Sequence, residues 1–117
     1  MAVDRDALHL AIIAEALADL RRRMADADLA TFLTDRDEQA LTAFRLAIIG
    51  EHTNKLSGAV RARHRELPWA DMVAFRNIVS HEYHRVDPAL VWEAALALDD
   101  IEIMVEAEIS ADNRQAP

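Results

Sequence analysis

The chain has 117 residues, with 13 Lys and Arg against 21 Asp and Glu, a net charge of −8 and no cysteine. That length supports one hydrophobic core unaided, and the absence of cysteine excludes disulfide frameworks, thiolate nucleophiles and cysteine-based zinc sites. With two glycines, three prolines and no strand-length alternation of apolar and polar residues, an all-α fold in a single domain spanning 1–117 is expected.

The N-terminal MAVDRDALHL has acidic residues where a secretory signal needs a basic start and an apolar run. No apolar stretch approaches the ~18 residues of a spanning helix, so a cytoplasmic protein without a membrane segment is expected. A first helix is predicted from about Asp6 to Asp26, with Leu8, Ile12, Ile13, Ala16, Leu17, Leu20 and Met24 as its apolar stripe. Arg21, Arg22 and Arg23 close it, where cations complement the helix dipole.

Thr34, with Asp37 three residues on, resembles a capping box and opens a second, long helix through Leu41, Phe44, Ile48, Ile49 and Leu56. Gly50 lies inside that helix, where it costs roughly 1 kcal/mol relative to Ala, and it points to close packing against a neighbouring helix or a second subunit. Ser57 and Gly58 mark a break, residues 59–65 form a short basic helical piece, and Pro68 stands near the start of a third long helix. That helix is predicted to end near Tyr83 to Val86. Asp87 and Pro88 then supply an N-cap and a first-turn proline for a final helix through Val91, Trp92, Ala95, Leu98, Ile101, Met104 and Val105. The tail from 110 to 117 is expected to fray. The sum is a bundle of four main helices plus a short extra one. Trp92, Ile101, Ile103 and Met104 give the last helix more apolar surface than one stripe needs, so self-association is expected.

Residues 76–87 read RNIVSHEYHRVD. At about 100° per residue, Tyr83, Arg76, Ser80, His84, Asn77 and His81 fall on one arc, with Met72, Phe75, Ile78 and Val79 opposite. The plain reading is the solvated face of an amphipathic helix. Such faces are usually filled with Lys, Glu, Asp and Gln, whereas this arc carries no carboxylate and no Lys, which suits a cleft or an interface better. Arg76 offers a charged fork for phosphate oxygens, and His81 exchanges a proton near neutral pH. Together they suit phosphodiester chemistry. A metal reading from His81 and His84, with His64 and Glu82 nearby, is weak, because no His or carboxylate pair recurs elsewhere at helical spacing.

The stretch LPWADMVAFRNIVSHEYHRVDPALVWE, residues 67–93, resembles the signature region of the HepT-like ribonuclease toxins of the HEPN superfamily, whose motif is Arg, four residues, His, one residue, Tyr. It falls here on Arg76, His81 and Tyr83, and the polar residue that commonly follows the Arg is present as Asn77. Upstream, LTAFRLAIIGEHTNKLSGAVRARHRELPW is similar to the family's second helix, with its Ile-Ile-Gly-Glu turn at Ile48 to Glu51, and to the short basic helix leading into Pro68 and Trp69. The resemblance implies a HEPN-type helical bundle forming a two-fold homodimer. It also implies the toxin of a type VII toxin-antitoxin system that cuts RNA with Arg76 and His81, without metal or cofactor. The partner it implies is an MntA-like nucleotidyltransferase antitoxin, which transfers AMP onto Tyr83. By composition alone Tyr83 reads as a half-buried amphipathic ring.

Metal-free RNA cleavage needs a base for the 2′-hydroxyl proton, an acid for the leaving 5′-oxygen and a cation for the charge that develops. One imidazole cannot be both base and acid in a single in-line displacement unless it shuttles, so a composite site with two copies of His81 across a dimer is expected. Asn77 suits a ribose or phosphate contact, an orienting bond to His81, or a plain surface amide. Ser80 belongs to no nucleophile arrangement, and Glu82 reads as an interface or core-edge hydrogen bonder, with Arg45 a candidate partner. Residues 51–87 hold six basic against five acidic side chains, whereas the rest of the chain holds seven against sixteen. Bulk RNA should therefore bind weakly, and a structured or delivered substrate is favoured. The alternative is a non-catalytic helical HEPN module that binds a nucleotide or a partner protein.

Overall fold

Leu10, Ile13, Leu17 and Leu20 recur at spacings of three and four and are each 3% exposed or less. They form the inner line of α1 (Ala2–Met24) in the computed structural model. The structure describes the backbone of residues 2–115 and the side chains of residues 5–114 apart from Ser80, Glu82 and Tyr83. Leu8, expected in the stripe, is 59% exposed. It stands about 160° round the helix from Leu10, off the line that faces the core.

Asp28 caps a one-turn helix, α2 (Leu29–Phe32), which helical periodicity is too short to signal. Phe32 drops from it into the core, its ring centroid 5.2 Å from that of Trp92. The next helix, α3 (Arg36–Asn54), starts one residue later than the Thr34 cap predicts. Asp35 accepts the Glu38 amide at 3.1 Å, while the Thr34 hydroxyl donates to the Thr31 carbonyl instead. Buried Gln39 donates its amide to the Phe32 carbonyl at 2.8 Å and so ties α2 to α3. The Ile48–Glu51 stretch, expected as a turn from the resemblance, is continuous helix within α3.

Ser57 caps α4 (Gly58–Arg63) and also donates its amide and hydroxyl to Asp6 of α1. Glu108 receives both Arg63 and His64 at 3.0 Å or less, and these partners, Arg63 first, hold its carboxyl below the usual carboxylate range. The basic short piece is thus fastened down: Arg61 donates to the Asn54 carbonyl at the end of α3 and lies over the Trp69 ring. Next come α5 (Trp69–Glu82), a 3-10 turn at Tyr83–Arg85 and α6 (Pro88–Leu96), capped by Asp87 as expected.

The final helix, predicted as one, is two, for α7 (Asp99–Gln115) starts afresh after Ala97 and Leu98. Asp99 and Asp100 are poor interior residues but favourable in a first turn, and Arg21 of α1 holds Asp99 and Glu102 there. Beyond Ser110, where fraying is expected, α7 stays helical to Gln115. Ile101 and Met104 are buried, so of the apolar residues expected to drive self-association Ile103, at 63% exposed, is the one left open.

The three arginines ending α1 all have carboxylate partners: Arg21 as above, Arg22 with Asp19 and Arg23 with Glu38. Arg45 pairs with Asp19 at 2.5 Å, and the side chain of Glu82, the carboxylate suggested for it, lies outside the described ones. Helix α1 packs on α3 and α7, and α5 packs chiefly on α3. No helix among the described residues is long and apolar enough to cross a membrane.

One clasp between α1 and α3 is sensitive to acid. The Nδ1 atoms of His9 and His52 lie 2.9 Å apart, one donating and the other accepting. Burial, then the facing His9, then Lys55 just past the end of α3 push the His52 pKa below its ordinary 6.5, and Glu51 opposes them only in part. The unfolded chain then binds a proton that the fold resists, so stability present above pH 6.5 is lost as pH falls towards the folded value. Thermal midpoints measured between pH 7.5 and 5.5 should fall in the wild type and fall less in His52→Asn. Parallel curves would exclude His52 as the cause.

Candidate functional site

Helix α5 turns Met72, Phe75, Arg76 and Val79 towards α3. Val79 is 5% exposed, and the other three are half-buried. What lets the helices approach here is Gly50. A Cβ on it would stand 2.6 Å from Arg76 Cβ, 3.0 Å from Arg76 Cγ and 3.3 Å from the Met72 carbonyl oxygen. The stem of Arg76 therefore lies in the notch that a missing side chain leaves on α3.

Arg76 thus sits at the inner edge of the polar arc. Its head reaches Glu51, with Nη1 to Oε2 at 3.4 Å, and Glu51 is shared with Lys55 at 3.3 Å. Arg76 Nε is buried without a hydrogen-bond partner among the described residues. A long, shared ion pair leaves the guanidinium with donors to spare, which is how a phosphate site differs from a closed structural salt bridge.

Asn77, His81 and His84 are exposed. Asn77 and His81 are one turn apart on the side of α5 away from α3, and the five-residue step from Arg76 to His81 turns the side chains about 140° apart. Within the chain the structure joins Arg76 to α3 and leaves His81 facing outward. Tyr83 begins the 3-10 turn, and its side chain, like those of Ser80 and Glu82, lies outside the described ones. Ile78, assigned to the apolar back of the helix, is 49% exposed. It stands about 120° from the Met72 line, beyond the reach of α3. Ala74, Ile78 and His81, spaced by four and three, form one outward stripe.

Among the described residues no three His, Asp or Glu side chains converge as metal ligands. His64, weighed as one, is spent on Glu108.

Residues 13–108 match the family model described as "Ribonuclease HepT-like". The chain belongs to the HepT-like ribonuclease family. It is 30% identical over 98 residues to "Putative RNase MJ1380" of Methanocaldococcus jannaschii, covering 83% of this chain and 88% of that protein. It is 29% identical over 85 residues to "Probable ribonuclease HepT" of Thermococcus cleftensis, covering 73% and 77%. No solved structure matches significantly.

The matched span of this HepT-like chain takes in the whole Arg-x4-His-x-Tyr stretch and both helices that form its setting. Sequence reading missed Glu51 as the partner of Arg76. The available signal was a glycine followed by a glutamate in the middle of an otherwise strong helix, which marks both a notch and a carboxylate beside it.

Proposed function

We propose that this protein is a metal-independent endoribonuclease, the toxin of a type VII toxin-antitoxin system. The observation that carries this reading is Arg76. An arginine with a buried Nε that has no partner among the described residues, and with a long bond to a shared carboxylate, is set five residues before an exposed histidine. Phosphate oxygens would displace Glu51 and take the guanidinium, which stabilises the charge that builds as the 2′-oxygen attacks. His81 is the proton-transfer group, and it is exposed as such a group must be. Family membership supports RNA as the substrate.

A second His81 completes the acid–base pair. The outward stripe of Ala74, Ile78 and His81 supports a two-fold dimer, since covering Ile78 would bring each His81 towards its counterpart. Asn77, beside it, is a supporting contact. Control by a nucleotidyltransferase antitoxin acts through Tyr83. An AMP on that hydroxyl, two residues from His81, places phosphate where the RNA phosphate binds and blocks by charge and bulk. The second reading, a silent module that binds a partner protein, is favoured by an apolar groove of about 280 Å³ between the start of α5 and the α6–α7 junction.

The test is cleavage of total cellular RNA in EDTA by wild type and by His81→Ala, with the intact mass of each recorded to detect AMP. Cleavage by unmodified wild type and its loss in the variant are expected. Intact RNA after exposure to unmodified wild type would move the assignment to the binding module.

A further inference from the structure

A cleft of about 630 Å³ opens where the first turns of α3 face the 3-10 turn and the start of α6. Its lining includes Arg36, Asp37, Gln39, His84, Val86 and Val91. Val91 and Gln39 are 1% and 8% exposed and make a buried floor, while Arg36 and His84 stand exposed.

No bond from Arg36 to another described residue is found, as for Arg5, Arg65, Arg85 and Arg114, whereas Arg21, Arg22, Arg23, Arg45, Arg61 and Arg63 are held by carboxylates or carbonyls of the protein. Arg36 also occupies the first turn of a 19-residue helix, where a cation opposes the helix dipole. Stability alone gives no reason for it.

The cleft shares a face with Arg76. Arg36, Ala40, Phe44, Ala47 and Glu51 recur along α3 at spacings of four, four, three and four, and Glu51 is the carboxylate that holds Arg76. The two ends of this track are about 22 Å apart at 1.5 Å per residue, and Phe44, 62% exposed, lies between them. His84 is three residues beyond His81 in the chain.

Resting on the ribonuclease reading, we infer that this cleft is a subsite for a single-stranded RNA nucleotide several positions along the strand from the bond that is cut. Arg36 neutralises its phosphate, His84 offers a stacking face for its base, and Val86 and Val91 line the floor beneath it. Asp37 at the rim repels a second phosphate and limits the cleft to one. Single strands are recognised in this way, by a cation for the backbone and ring faces for the bases.

The experiment measures the rate of total-RNA cleavage against RNA concentration for wild type, Arg36→Gln and His84→Asn, from about 50 to 200 mM salt. Both variants should raise the half-saturating RNA concentration roughly five- to tenfold with kcat unchanged. Arg36→Gln should also flatten the slope of log(kcat/KM) against log salt by about 0.7, the share of one phosphate on a single strand. Both side chains are exposed and bear no described bond, so thermal midpoints should hold. Wild-type saturation and salt slope in Arg36→Gln, with cleavage still abolished in His81→Ala, would overturn the subsite and leave the ribonuclease standing. Absence of cleavage by unmodified wild type would overturn both.

Discussion

Replacing His81 with alanine is expected to lower RNA cleavage by roughly 10²- to 10⁴-fold, the usual contribution of a positioned acid–base group. Stability should change by no more than about 0.5 kcal/mol, because the side chain is exposed and bears no described bond. The separation of the two effects is the useful readout: a folded, inactive variant assigns a chemical role. The proposed dimer adds a second prediction on the same residue. If one cleavage needs two imidazoles, a mixed dimer is dead, and substituting His81→Ala protein for wild type at constant total concentration, with subunits exchanging, should reduce activity as the square of the wild-type fraction. A strictly proportional fall would show that each protomer cuts alone.

Gly50→Ala is expected to cost about a hundredfold in cleavage with a much smaller loss of stability. Two opposing terms act on the fold. Alanine gains up to about 1 kcal/mol of helix propensity. Overpacking costs typically 1–3 kcal/mol, and here the new methyl would meet Arg76 Cβ at 2.6 Å, a stem with no room to swing because α5 backbone lies just behind it. The overpacking term wins by about 1–2 kcal/mol, visible as a lower thermal midpoint. Activity suffers more, since a shift of about 1 Å in a positioning group is enough for a hundredfold loss. Gly58→Ala serves as the control: nothing lies within 4 Å of its added Cβ, so stability should hold or rise and cleavage should not change. Wild-type cleavage in Gly50→Ala would mean that the notch does not position Arg76.

The dominant features of the fold were legible because their causes are local. Asp87 and Pro88 start α6 through bonds made within three residues, and Ser57 does the same for α4. The apolar spacing of Leu10 to Leu20 likewise marks a buried face without reference to any partner. Where local signals were balanced, tertiary contacts decided. The start of α3 is not such a case, for Asp35 is a better cap by type than Thr34 and took it through a local bond while Thr34 bonded back into α2. A helix through Ala97 and Leu98 meets no Gly or Pro, yet the chain breaks there, with Arg21, some 78 residues away, holding the new first turn.

The candidate site divides in the same manner. Arg76, Asn77 and His81 could be named as candidates from one arc of one helix, and Tyr83 from the resemblance to the family's motif, and with them the chemistry proposed. Their surroundings could not be named so. Gly50 and Glu51 meet Arg76 across 25 residues or more of chain, and only the approach of α3 to α5 turns a glycine into a notch and a surface glutamate into a counterion. Arg36 and His84 are 48 residues apart and line one cleft for the same reason. Side-chain chemistry and helical period are properties of a short segment and are written in it, whereas the partner of a charge and the space beside a backbone belong to two segments at once and exist only when the helices pack.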